Sequence, residues 1–291
     1  MLDFHMAIDY ETLLNWDIPA IEQTITQRDV ILYALGVGLG SDPCDERQLK
    51  FVYEKRLEAL PTMAVILCYP GQWHSVEGTG ITGSRVVQGS QAFEIHKPLP
   101  PECVVRGKPR VTGVYDMGAG KGALVTTECL VYDKARGDHL CTIKGSHFCR
   151  GDGGFGGEKP PRTALAVMPT RSPDATCELK TLPQAALIYR LSGDYNPLHG
   201  DPEAARRAGY PMPILHGRCT FGVVGHALLR TLYDYDPTKL GSMEVRFVSP
   251  LYPGETVRVE IWKEADGVLF RALAAERGQV VLDHGRAASR A

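Results

Sequence analysis

The sequence predicts an α+β protein built from two copies of one fold, each an antiparallel sheet wrapped around a helix. Three observations predict it. The chain has 291 residues, room for two domains at a prior of ~150 residues each. Residues 151–162 (GDGGFGGEKPPR) are rich in Gly and Pro and read as a linker near the middle. The order of parts before the linker recurs after it. Pro61 to Gly89 and Pro213 to Gly241 both span 28 residues, and Gly89 to Pro98 and Gly241 to Pro250 both span 9. A long-period duplication accounts for these equal intervals. The expected domains are 1–150 and 163–291, joined by 151–162.

Each element has its own signal. After a short lead-in at 9–15, Thr26 and Asp29 stand at capping-box spacing ahead of the apolar run 30–39, which predicts a helix. Residues 42–58 are charged and predict an exposed loop and helix; 61–70 are apolar and bounded by prolines. Weak alternation predicts strands over 86–95, 104–114, 123–132 and 139–149. Beyond the linker, 181–192 repeats the apolar helical stretch of the first half. Val223, Val224, Ala227, Leu228, Thr231 and Leu232 fall at helical spacing, so a long buried helix follows Gly217. The matching first-half segment is cut by Pro70, Gly71, Gly78, Gly80 and Gly83 and cannot be one helix. The first half is therefore expected to be a degenerate copy with room inside for a ligand's tail. Strands are expected over 243–248, 256–262, 269–275 and 279–284.

Composition excludes several classes. Hydrophobic content of 44% and charged content of 23% suit a soluble globular protein. A net charge of −2 leaves no broad basic field for nucleic acid or an anionic membrane. No stretch approaches the ~20 apolar residues of a membrane span. The eight cysteines are scattered without a C-x-x-C pair, so reduced, buried thiols are expected and neither a disulfide framework nor a zinc site. The first residues, MLDFHMAIDYETLL, carry acids where a signal peptide needs bases, so a cytoplasmic location is expected.

The chemistry gathers in 189–217 (YRLSGDYNPLHGDPEAARRAGYPMPILHG). Asp194, Asn196 and His199 share a loop punctuated by Gly193 and Pro197. Proline fixes its own φ and biases Asn196 away from helix, which stiffens the loop. An imidazole of pKa ~6.5 exchanges protons at neutral pH. With an acid facing it, the pair suits addition or removal of water. Ser192 has no G-x-S-x-G setting, so covalent acyl transfer is not expected. Gly217, at the start of the long helix, offers a backbone N–H with the helix dipole behind it, suited to an oxygen turning enolate-like. Each residue alone has a plainer reading: Asp194 a turn acid, Gly193 a helix stop, His199 a turn residue bonded to a carbonyl. Their union on one loop ahead of a glycine-headed helix favours a site. His216 is assigned to backbone bonding and His226 to the core. Asp194, His199 and His216 lack a recognised ligand spacing, so no metal is expected. GAGKG at 118–122 lies between strands and is not read as a phosphate loop.

YRLSGDYNPLHGDP, followed by PMPILHG-x-CTFG, resembles the MaoC-like hydratase 2 family, the R-specific enoyl-CoA hydratases. VVQGSQAFEIHKPLPP in the first half carries a weaker match, so the resemblance covers nearly the whole chain. It implies a double hot-dog fold and reversible syn hydration of a trans-2-enoyl-CoA to the (3R)-3-hydroxyacyl-CoA. It implies no metal or redox cofactor, with coenzyme A only as part of the substrate, and a homodimer is expected. By position, Asp194 and His199 become the pair that grips the water, Asn196 a supporting residue and Gly217 the oxyanion N–H. Phe247 falls where the family contacts substrate. Gln88 and Gly89 fall where the family offers His-Gly, so Gln88 is a departure. Met117 replaces a lysine that often serves the coenzyme, and Lys121 is the candidate to supply that charge. Two alternatives share the fold: an acyl-CoA thioesterase, and a non-catalytic acyl-thioester-binding protein.

Overall fold

In the computed structural model, which describes residues 7–161 and 165–290, ten strands form one sheet. The first half supplies α1 (Tyr10–Leu14), β1 (Ile21–Ile25), α2 (Gln27–Gly36), α3 (Glu46–Val52), β2 (Val86–Ile95), β3 (Cys103–Asp116), β4 (Ala123–Asp133) and β5 (His139–Cys149). The second supplies β6 (Ala175–Lys180), α4 (Ala185–Tyr189), α5 (Pro202–Arg207), α6 (Gly217–Leu232), β7 (Leu240–Phe247), β8 (Thr256–Glu264), β9 (Gly267–Ala274) and β10 (Gln279–Ser289). The order across the sheet is β1-β3-β4-β5-β2-β7-β10-β9-β8-β6. Five strands from one half are followed by five from the other in reversed order, so the duplication read in the sequence is a pseudo-twofold in space. The halves join where β2 pairs antiparallel with β7, from Ser90 opposite Arg246 to Glu94 opposite Ser242. This is a double hot-dog.

The capping box at the start of α2 forms: Asp29 N–H donates to Thr26 Oγ1, and the Thr26 N–H donates to the Asp29 carboxylate at 3.0 Å. Strands β2 and β5 occupy the predicted ranges. The edge strands β1 and β6 were not expected. They are short, five and six residues, and their alternation, with Glu22 and Thr24, and Thr176, Glu178 and Lys180, at the exposed positions, spans too few residues to stand out.

Helix α6 is buried continuously from Cys219 to Leu229. Two glycines let neighbours approach its backbone. A Cβ at Gly222 would overlap Val37, and a Cβ at Gly225 would overlap the methyl of Thr62. As expected, the first half has no such helix. In its place the 3-10 turn Pro61–Ile66 has all six residues buried, followed by the turns Trp73–Ser75 and Gly83–Arg85. The first-half segment is packed at its start and open further on, where Tyr69, His74, Ser75, Gly83 and Val86 line a cleft shared with the second half. Met63, Ala64, Val65 and Leu67 fill the space within the main core, and a Cβ at Gly80 would lie 2.7 Å from the Ile8 backbone. Gly80 thus serves close packing of irregular chain, whereas Gly83 lies in the cleft lining.

Residues 151–161 form no helix or strand, yet they are tied down. The Asp116 carboxylate, at the end of β3, accepts N–H groups from Gly118, Gly154 and Gly156. Residues 118–122 make the β3–β4 turn. All eight cysteines are free, six of them buried. No helix among the described residues is long and apolar enough to cross a membrane.

The α6 packing gives a test with a decided sign. Gly→Ala in a helix ordinarily gains up to ~1 kcal/mol from propensity. At Gly225 the new methyl meets Thr62, which is fully buried, and overpacking costs ~1–3 kcal/mol. Gly225→Ala is expected to lower stability in urea unfolding; a gain would remove the close-packing account.

Candidate active site

The loop that carries the acid and the imidazole begins where α4 and a 3-10 turn end at Gly193, with φ of 111°. Glycine adopts this left-handed conformation without steric cost. The chain then folds on its own side chains. Asp194 Oδ1 accepts the Asn196 N–H at 3.3 Å, and Asn196 Oδ1 accepts the Leu198 N–H at 3.0 Å, capping the turn Pro197–His199. The plainer turn roles of these residues are therefore real, and they aim the set. His199 Nδ1–H donates to the Ile214 carbonyl at 2.9 Å, which leaves Nε2 as the open acceptor. Leu215 N–H donates to the Leu251 carbonyl at 2.8 Å, stitching the approach to α6 onto the loop after β7.

His216 does more than the sequence suggests. Its Nε2–H donates to the Asp194 carbonyl at 3.1 Å, the expected backbone bond. Its ring also stacks on His199, centroids 3.7 Å apart and planes 26° from parallel. Burial lowers the pKa of His199, with the Ile214 bond and the Asp194 charge opposing. Burial lowers His216 further, and the neighbouring His199 adds to it. Both imidazoles are neutral at neutral pH.

One nitrogen from each histidine and an Asp194 oxygen lie within 4.8 Å of one another. Hydrogen bonds of ~2.8 Å on either side let one water bridge the acid and His199. A shared metal ion is less well served. An ion sits near the plane of each ligating imidazole, and stacked rings hold their lone pairs in two separate planes.

Asp194, Asn196, His199, Gly217, Phe247 and Gln88 all line one cleft of about 690 Å³ between the halves. Gly217 opens α6, where the first N–H groups of a helix lack intrahelical partners. An added Cβ there would lie 2.9 Å from Phe247 Cε1 and 3.4 Å from Gln88 Oε1. Only glycine leaves that space open, and Gln88 and Phe247 reach it because β2 and β7 are neighbours.

Two of the expected residues lie outside the cleft lining. Lys121 does not line the cleft; it is exposed in the β3–β4 turn, and the cations that do line the cleft are Arg150, Arg207 and Arg218. Gly89 also lies outside the lining. It sits at an irregularity between β2 and β5, and a Cβ there would be 2.8 Å from Ser146 Oγ, so its small size serves the sheet. The structure adds Tyr69, His74, His147 and Arg218, none singled out from sequence. Only Arg218 carried a local signal, a lone charge in the first turn of an apolar helix.

The arrangement defines a class: a double hot-dog protein whose second half carries an acid–imidazole pair beside a glycine-headed helix. The MFE-2 hydratase 2 N-terminal domain matches residues 24–151, and the MaoC-like domain matches residues 165–283. A probable enoyl-CoA hydratase 2 from Dictyostelium discoideum is 38% identical, covering 96% of each chain. A crystal structure of a MaoC-like dehydratase from Phytophthora capsici superposes with a TM-score of 0.83 at 36% identity, covering 96% of this chain and 98% of that one. A Mycobacterium tuberculosis protein with a double hot-dog fold shares the fold alone, with 15% identity, a TM-score of 0.58 and coverage of 97% of this chain and 98% of that one. The chain belongs to the MaoC-like hydratase 2 family.

The buried imidazoles predict how stability follows pH. His74, His147, His199, His216 and His226 all have lowered pKa values, with burial the largest cause in each; His147 falls to about 3 and His226 to about 4. Unfolded, each returns to ~6.5. Between those limits the unfolded chain binds more protons, so stability falls as pH falls. Asp116, lowered chiefly by the Gly154 N–H, adds a loss in the same direction only below ~4. Calorimetry from pH 7 to 4.5 is expected to show a falling Tm that begins near ~6.5; a flat or rising Tm would contradict it.

Proposed function

We propose that the protein is an R-specific 2-enoyl-CoA hydratase, adding water reversibly to a trans-2-enoyl thioester. The observation that carries this reading is the bridging distance between an Asp194 oxygen and a ring nitrogen of neutral His199, in a cleft shared with Gly217. The thioester oxygen lies at Gly217, where the helix N-terminus favours negative charge. The bridging water attacks C3. Its oxygen lone pair forms the C–O bond, the C2–C3 π electrons move onto the thioester oxygen as an enolate, and the proton leaves for His199. Asp194 orients the water and stabilises the imidazolium. The imidazolium then returns a proton to C2 as the enolate collapses. Both groups sit on one loop and serve one face of the double bond, so the addition is syn. Asn196 holds the turn, and Gln88 and Phe247 border the thioester.

No metal or redox cofactor takes part in this scheme. Eight free cysteines support a reducing compartment such as the cytoplasm, and four relatives are named as peroxisomal. The edge strands β1 and β6 support pairing of two copies. The acyl chain is assigned to the cleft between the halves, whose first-half wall includes Tyr69, His74, Gly83, Val86 and His147.

Crotonyl-CoA is the direct probe. Its enoyl absorbance is expected to fall without release of free thiol, and chiral analysis is expected to show the R product; thiol release would indicate hydrolysis, and an S product would overturn the stereochemistry. Asp194→Asn and His199→Ala are each expected to lose ~100- to 10,000-fold in kcat with the fold retained. Turnover within about threefold of the unaltered protein, far short of the usual general acid–base contribution, would remove the residue from the mechanism.

A further inference from the structure

Beyond the catalytic pair, the cleft wall is unlike a fatty-acyl channel. Arg218 follows Gly217 directly on α6 and lines the cleft. Its guanidinium lies 4.1 Å above the Tyr69 ring, and its Nε–H donates to Gln91 Oε1 at 3.3 Å. That amide is already fixed by Gln88 Nε2 at 2.8 Å and by the Lys144 carbonyl at 3.0 Å. Among the described residues no carboxylate forms an ion pair with Arg218, and its buried Nη1 has no hydrogen-bond partner. Beside it, His147 on β5 stands opposite Gln88 in the β2–β5 pairing, with the His74 ring 5.5 Å away. His74 is 9% exposed, lines the cleft, and its Nδ1 has no partner.

A hydrocarbon tail laid against these groups would leave a half-buried charge and a buried imidazole nitrogen unpaired, which is costly. A carboxylate answers both. Arginine presents paired N–H donors that match it, and a desolvated charge-assisted pair is strong. Burial holds His147 and His74 neutral, so each offers an N–H without a competing need for a counter-ion. Arg150 and Arg207 are different: they are exposed, and Arg207 already pairs with Glu203. They are placed for the coenzyme's phosphates, which leaves Arg218 for the acyl part.

We propose that the cleft selects enoyl thioesters of short dicarboxylic acids, the distal carboxylate held by Arg218 with His147 and His74 beside it. The chain is short because Arg218 is the residue next to Gly217, so the carboxylate lies within one arginine side chain of the thioester oxygen. This rests on the hydratase reading for the position of the thioester.

The test separates the two ideas. Binding of glutaryl-CoA and hexanoyl-CoA, saturated and unreactive, is measured by calorimetry; hydration is measured with glutaconyl-CoA and trans-2-hexenoyl-CoA. The coenzyme is common to each pair, so the ratio reads the carboxylate alone. The unaltered protein is expected to favour the carboxylated member of each pair by ~10- to 100-fold, and Arg218→Leu to abolish that preference. Should Arg218→Leu not fold, Arg218→Gln carries the same comparison, and the ratio in the unaltered protein decides by itself. Equal or tighter binding of hexanoyl-CoA would overturn the proposal. So would an equal weakening of both ligands in the variant, which would assign Arg218 to the coenzyme phosphates. A preference for glutaryl-CoA with no hydration of any enoyl thioester would overturn the hydratase reading and leave the carboxylate site standing.

Discussion

The pairing of β2 with β7 is the constraint on which the rest depends. It makes one sheet of two five-stranded halves, and it is antiparallel, so the halves meet about a pseudo-twofold. Backbone hydrogen bonds set this register, and a slip of one residue would turn every side chain to the other face. Register therefore decides that Gln88, from the first half, and Phe247, from the second, flank the same glycine at the head of α6. The catalytic loop belongs wholly to the second half, but the space it acts on does not.

A second constraint is the buried polarity beneath that space. The Asp194 carbonyl, the stacked imidazoles of His216 and His199, and the Ile214 carbonyl form a chain of directed contacts. Neutral stacked rings are tolerated in such a place, whereas protonating either loses hydration and protonating both sets like charges together. The same burial that keeps His199 ready to accept a proton makes the folded state sensitive to acid. Readiness for proton transfer and acid lability have one cause here.

Much of this was legible in the sequence where the signal is local. Asp194, Asn196, His199 and Gly217 lie within 24 residues, and the turn chemistry that joins the first three is written in Gly193 and Pro197. Strands β2 and β5 were legible because their alternation survives in hydrophobicity. What could not be read depends on distant partners. Tyr69, His74 and His147 become neighbours of Arg218 only through the sheet and irregular turns, and nothing in their own segments marks them. Lys121 lies outside the cleft lining for the complementary reason: a nearby charge in sequence says nothing about which side of a hairpin turn faces the cleft. The glycines of the first half look alike in sequence but differ in role: Gly80 lets its backbone meet Ile8, whereas Gly83 lines the cleft.

The pseudo-twofold lies within one chain, and this has an evolutionary consequence. In an assembly of identical subunits every substitution is copied into each wall of each site, so a change that suits a new substrate also alters the catalytic copy. Here the 3-10 turns around Trp73–Ser75 and Gly83–Arg85 stand where the second half has the later turns of α6 and the chain after it. They are free to change the wall that faces the acyl group while 194–199 stays untouched. A lineage can then exchange one acyl specificity for another by drift in the first half, with the water-binding pair inherited unaltered.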